Sequence, residues 1–148
     1  MKQSIFTICL LILICYPITA CSSKEGDCNQ ASRVVKKEMW TGTQSTESIE
    51  NAIGICLVSA NRGDAIAQYN LSVLYTLKNN NIENEKTYEW ALKAAKNGHA
   101  YSQFHLGTMY EKGTVVTQDT EKAYEWYKKA AKNGLLPAQK KVEEIQAK

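Results

Sequence analysis

Residues 85–98 read EKTYEWALKAAKNG and residues 121–134 read EKAYEWYKKAAKNG, eleven of fourteen positions identical at an offset of 36. An echo at that period marks a stacked helical repeat, because one supersecondary unit cannot bury its own apolar face and stacked copies can. Glycines extend the register outward. Gly63, Gly98 and Gly134 open successive copies at offsets of 35 and 36, and another step of 35 back lands on Cys28. The pattern predicts an all-α fold, a short α-solenoid of antiparallel helix pairs.

Working outward, each copy reads as two helices. In repeat one (63–97), Ala67, Leu71, Leu74 and Tyr75 recur at i, i+4, i+7 and i+8 and predict a helix over 65–77. Lys78 to Asn81 interrupts it. A second helix over 84–97 is expected to bury Tyr88, Ala91, Leu92 and Ala95, with Trp90 flanking and Gly98 as a left-handed cap. Repeat two (98–133) predicts helices over 100–112 and 120–133, the second started by Asp119. Gly107 falls inside a helix, where glycine costs about 1 kcal/mol relative to alanine. That cost implies a packing reason, such as a Tyr or Trp ring from the neighbouring helix. The acids Asp119 and Glu121 at the start of this helix and Lys128, Lys129 and Lys132 at its end match the helix dipole, so the charge run reads as a solvated helix end.

The flanks are less regular. A degenerate repeat zero (28–62) is expected to hold helices over 29–40 and 46–60, with Ser45 or Thr46 as N-cap. Its register sets Val34 against Tyr69, Met39 against Leu74 and Trp40 against Tyr75 and Tyr110. Segment 134–148 predicts one capping helix from Pro137 to Gln146, with Lys140, Lys141, Glu143 and Glu144 on its outer side.

The 148 residues suffice for one ordinary domain, and 22% charged with 44% hydrophobic residues is a globular balance. A net charge of +3 without a polybasic patch argues against nucleic acid as a partner. Lys2 precedes an apolar run of 12 residues, Ile5 to Tyr16, too short for a bilayer span of about 20 and suited to a secretory signal. Ile18-Thr19-Ala20-Cys21 resembles the lipobox of bacterial lipoproteins. That resemblance implies cleavage after residue 20, lipid on Cys21, a tether over 21–27, and an address in the bacterial envelope. Ser22 in place of aspartate favours the outer membrane, facing the periplasm. The competing reading is an ordinary signal peptide with Cys21 left as a thiol.

Cleavage would also remove Cys9 and Cys15, leaving Cys28 and Cys56 as the available thiols. In an oxidising compartment they are expected to pair, contributing roughly 3 to 4 kcal/mol by the chain-entropy model. The alternative is two buried, unpaired cysteines.

Residues 102–134, with Leu106-Gly107, Tyr110, Gly113, Val115, Asp119, Lys122-Ala123, Trp126, Ala130-Ala131 and Gly134, resemble the Sel1-like repeat, a relative of the tetratricopeptide repeat. Repeat one departs from that pattern at Ser72 and over Asn79 to Glu83. The resemblance implies a right-handed solenoid that binds another protein, with a concave face lined by first helices. Carried over by register, that face would display Ile66, Tyr69, Val73, Tyr101, Phe104 and Thr108. The same residues also suit simple packing between helices.

No catalytic constellation is evident. His99 and His105 stand six apart, on different faces of one helix, with no partner at metal-ligand spacing. Some secreted relatives are linked to penicillin recognition, but the Ser-x-x-Lys of serine enzymes of that kind does not occur here, nor does a glycine-rich phosphate loop. The expectation is a non-enzymatic protein-binding lipoprotein without cofactor or metal, acting as adaptor or scaffold. An immunity protein that sequesters a periplasmic toxin is the alternative, and an envelope hydrolase a remote third.

Overall fold

The computed structural model describes residues 27–43 and 45–147. The inferred signal segment, Cys21 and most of the tether lie outside them. Among the described residues the chain forms helices without strands: α1 (Cys28–Thr41), α2 (Thr46–Asn61), α3 (Ala65–Lys78), α4 (Glu85–Lys96), α5 (Ala100–Lys112), α6 (Thr120–Lys132) and α7 (Leu136–Gln146). Each helix packs on the next in sequence, and α1 also touches α3. This is the packing of an α-solenoid. No described helix is long and apolar enough to cross a membrane.

Local chemistry starts and stops these helices. The side chains of Asp27, Ser45, Asp64, Asn84, His99 and Asp119 accept backbone N–H bonds at successive N-termini. At the C-terminus of α4, Gly98 takes φ 86°, its N–H donates to Ala95 and that of His99 to Ala94. Gly63 and Gly134 repeat this αL cap after α2 and α6, because only glycine enters that region without a Cβ clash. In repeat one Asn80 and Asn81 supply positive φ after α3, where Gly113 does so after α5. Asparagine tolerates that conformation, so the divergent loop still turns.

A hydrogen-bonded clamp recurs at both internal repeat junctions. Gln68 Nε2 donates to the Ala60 carbonyl, while Asn97 Nδ2 donates to Gln68 Oε1 and the Gly63 carbonyl. Gln103, Ala95, Asn133 and Gly98 make the same set one copy later. The recurring Asn-Gly dipeptides thus satisfy helix ends and tie adjacent copies together.

The core runs through three clusters. The first joins α1 to α4 through Val35, Ile53, Leu71 and Leu74, the second centres on Leu106 and Met109, and the third on Ala130, Leu135 and Ala138. Trp90, expected to flank α4, is only 8% exposed and belongs to the first cluster. The reason is that α4 lies between α3 and α5 and is covered on two sides. Ala91 and Ala95 face the second cluster. Gly107 has the predicted packing cause, for a Cβ there would meet Tyr127 Cδ1 and Cε1 at 2.6 Å.

Cys28 and Cys56 form a disulfide between α1 and α2 with Cα atoms 4.6 Å apart. Buried Asn70 adds a polar tie between α1 and α3, donating to Asn29 Oδ1 at 2.9 Å and accepting from Ser32 Oγ at 3.3 Å. The register assigned to α1 does not carry through in burial. Met39 is exposed where Leu74 is buried, and Trp40 is 88% exposed. The buried residues of α1 are Cys28, Ser32 and Val35, so its C-terminal turn extends past the packed part of the helix. Lys141, expected on the outer side of α7, turns inward enough to pair with Glu111 of α5 at 3.0 Å.

Candidate functional site

The six positions carried over for a partner surface divide into two groups. Ile66 and Tyr101 occupy the first turns of α3 and α5 and are 49% and 58% exposed. Tyr69, half-buried one turn along α3, has its ring centroid 6.3 Å from that of Tyr101. Val73 is half-buried further along the same helix. Phe104 and Thr108 belong to the packing of α5 on α6. The Phe104 ring lies 5.3 Å from Tyr127 and packs against the third core cluster. Thr108 Oγ1 donates to the Phe104 carbonyl and accepts from the Tyr127 hydroxyl.

The half-buried His99 ring stands against both Tyr69 and Tyr101, the three rings forming a compact triangle. It stacks on Tyr69 at 4.5 Å and 28° and lies 6.2 Å from Tyr101. Its Nδ1 accepts the Ser102 N–H at 3.3 Å and sits 3.0 Å from Ser102 Oγ, so the imidazole is also the N-cap of α5. A neutral ring protonated on Nε2 fits both roles, and burial holds its pKa below the ordinary histidine value. Lys36 of α1 brings its ammonium to 5.9 Å from the Tyr69 centroid. Burial first, and then neighbouring Tyr101, raises the pKa of the Tyr69 phenol. The surface therefore runs from α1 across α3 to α5. Its aromatic members were legible from the register; His99 and Lys36 were not, because the first belongs to a cap and the second to a helix without repeat consensus.

Other polar groups serve structure. His105 bonds Glu83 Oε1, and the other oxygen of Glu83 accepts from Thr114, joining the loop before α4 to α5 and the loop after it. Glu111 takes the Tyr127 hydroxyl at 2.7 Å and Lys141 at 3.0 Å, which together hold its carboxyl below the usual range. Tyr88 and Tyr110 share a 2.9 Å bond between hydroxyls, and burial with that bond pushes the Tyr88 phenol up to about 12. Lys93 over Trp90 and Lys129 over Trp126 repeat one cation–π contact on the second helices of both copies. Among the described residues no group of three His, Cys, Asp or Glu side chains is placed to hold a metal.

Stacked antiparallel helix pairs without strands among the described residues define the class: an all-α repeat solenoid. The family is equally definite. Residues 65–99 and 100–135 match the Sel1 repeat, and the chain is a Sel1-repeat protein. Its structure is similar to the crystal structure of a Sel1 repeat protein from Oxalobacter formigenes, with a TM-score of 0.64 and 27% identity, covering 86% of this chain and 97% of that one. It is also similar to c5321, a protective antigen of uropathogenic Escherichia coli strains displaying an SLR fold, at a TM-score of 0.56 and 30% identity over 77% of this chain and 28% of that one. In sequence it is 35% identical over 78 residues to the rat DAP3-binding cell death enhancer 1, and 36% identical over 72 residues to the mouse protein. Those stretches cover 53% and 49% of this chain but only 15% and 14% of the relatives. Sel1 repeats are protein-interaction scaffolds, which sets the coarse function.

Proposed function

We propose that this protein is a non-enzymatic adaptor of the bacterial envelope, anchored by lipid on Cys21 at the outer membrane and binding a periplasmic protein through its first helices. One observation carries the reading. Ile66 and Tyr101 occupy the same position in the first turns of α3 and α5, 35 residues apart, and are 49% and 58% exposed, while Leu136 in the first turn of α7 is 68% exposed. Large side chains left half in water at the same position of both copies are only partly used by the core, and large apolar and aromatic anchors are what partner binding uses. The Tyr69–His99 stack gives that strip a fixed aromatic centre. Cys21, seven residues before Cys28, would hold the strip near a membrane.

The test is affinity capture from detergent-solubilised envelope with wild type and with Tyr69→Ala/Tyr101→Ala. A specific partner is expected on wild type and lost on the variant, since central aromatic anchors are worth about 2 kcal/mol or more each, roughly 30-fold in affinity. Recovery of the same proteins by both would refute the surface. Metabolic palmitate labelling of wild type and Cys21→Ala tests the anchor, and equal labelling would refute it.

A further inference from the structure

The outer face of α1 is unused by the partner surface. Arg33, Lys37 and Trp40 follow at i, i+4 and i+7, so they share one stripe of the helix. Cys28, Ser32 and Val35 are buried on the other side. Arg33 and Lys37 are exposed, Trp40 is 88% exposed, and neighbouring Val34 is 49% exposed. The single acid of α1, Glu38, is half-buried away from this stripe. Trp90 is buried and Trp126 half-buried, so Trp40 alone among the tryptophans has its indole almost wholly in water.

Tryptophan beside cations suits one surface in particular. The indole favours the headgroup level of a bilayer, where its apolar body is covered and its N–H remains hydrated. Arg and Lys lay their alkyl stems along such a surface while their charges reach anionic headgroups. Chain length adds an independent reason. With lipid on Cys21, seven residues separate the anchor from Cys28, a reach of at most about 25 Å. Helix α1, at 14 residues, is about 21 Å long, so its outer face is within contact range of the anchoring bilayer.

We propose that the Arg33–Lys37–Trp40 face of α1 docks on an anionic phospholipid surface, laying the solenoid against the membrane that holds its lipid. The proposal rests on the anchor at Cys21. It adds that the protein has a second, non-covalent membrane contact which fixes its orientation.

The experiment uses full-length protein processed in a bacterial host, extracted from membranes and reconstituted into vesicles of phosphatidylethanolamine with phosphatidylglycerol. Phosphatidylcholine vesicles are the uncharged control. The difference between wild-type and Trp40→Phe fluorescence isolates Trp40. On anionic vesicles its emission is expected to move to shorter wavelength, lose acrylamide quenching and gain quenching by brominated lipid. Arg33→Glu/Lys37→Glu should float with the vesicles, keep wild-type helicity and lose these changes, with docking weakened about five-fold for each cation removed. Wild-type protein that floats while Trp40 stays fully quenchable would overturn the docking and leave the anchor standing. Failure of wild type to float would overturn both. Protection of Trp40 that requires added envelope protein would make α1 a protein-docking face and overturn the lipid assignment.

Discussion

Gly107→Ala isolates how the two Sel1 copies pack. A Cβ at residue 107 would lie 2.6 Å from Tyr127 Cδ1 and Cε1 and 3.0 Å from Cζ. The ring cannot easily withdraw, because Tyr127 is fully buried and its hydroxyl is bonded to Glu111 at 2.7 Å and Thr108 at 3.3 Å. Overpacking of this kind costs about 1 to 3 kcal/mol, and a contact with two atoms of a pinned ring belongs at the upper end. Alanine returns about 1 kcal/mol of helix propensity, leaving a net loss of about 2 kcal/mol. For a domain of this size that lowers Tm by roughly 6 to 10 °C. Repeat one provides the control, since Ser72 and Ala91 stand where repeat two has Gly107 and Tyr127. A small residue on α4 coexists with a side chain on α3, whereas a ring on α6 requires its absence on α5. Thermal and urea unfolding of Gly107→Ser, Tyr127→Ala and the double variant should therefore show coupling. Serine at 107 is costly beside Tyr127 and nearly neutral beside alanine, although Tyr127→Ala itself creates a large cavity. A Gly107→Ala protein as stable as wild type, or a serine cost independent of residue 127, would refute the reasoning.

Reducing the Cys28–Cys56 bridge, or replacing both cysteines by serine, should cost about 3 to 4 kcal/mol, read first as faster hydrogen exchange in α1 and α2 and last in α5 and α6. Asn133→Ala removes donors to Gly98 and Gln103 and leaves the Gln103 amide oxygen, in a buried residue, without that partner; a loss of about 1 to 2 kcal/mol in urea unfolding is expected. His99 has a lowered folded pKa, so the unfolded chain binds the proton more readily and stability falls as pH drops from above about 6.5 through the folded value. His99→Asn keeps an N-cap and should flatten that part of the Tm-against-pH profile, the slopes from Glu111 and Asp119 lying at lower pH because their folded pKa values are also lowered.

What was legible in the sequence is what recurs. The αL glycines and the alanines of α4 and α6 are dictated by backbone geometry and close helix approach, so they repeat and can be read from one chain. The helix bounds followed from them to within one residue, whereas the clamp role of Asn97 and Asn133 emerges only from the structure. Residues with two neighbours were harder to place: Trp90 was assigned to a flank because a single helical period shows one apolar side, while α4 is covered on two. Phe104 is set on the concave face by register carried over from the family resemblance, and its ring packs toward α6 and α7. His99 carried no pattern at all, since imidazole is an uncommon cap and its stacking partner lies 30 residues away in sequence.

The positions where the copies disagree then acquire a meaning that neither copy has alone. Tyr127 fills space through Gly107, and this lets α6 carry its ring to Phe104 and tie α5 to α7 through Glu111 and Lys141. Repeat one, with Ala91 and Ser72, has no such ring. Instead the Ser72 hydroxyl bonds the Tyr69 carbonyl at 2.7 Å, and Tyr69 turns to His99 at the junction. The second copy therefore uses its large aromatic residue to close the end of the solenoid, while the first leaves Tyr69 at the surface. Two similar copies become asymmetric through the paired exchange of Ser72 for Gly107 on the first helices and Ala91 for Tyr127 on the second, and the aromatic cluster of Tyr69, His99 and Tyr101 lies at the joint between them.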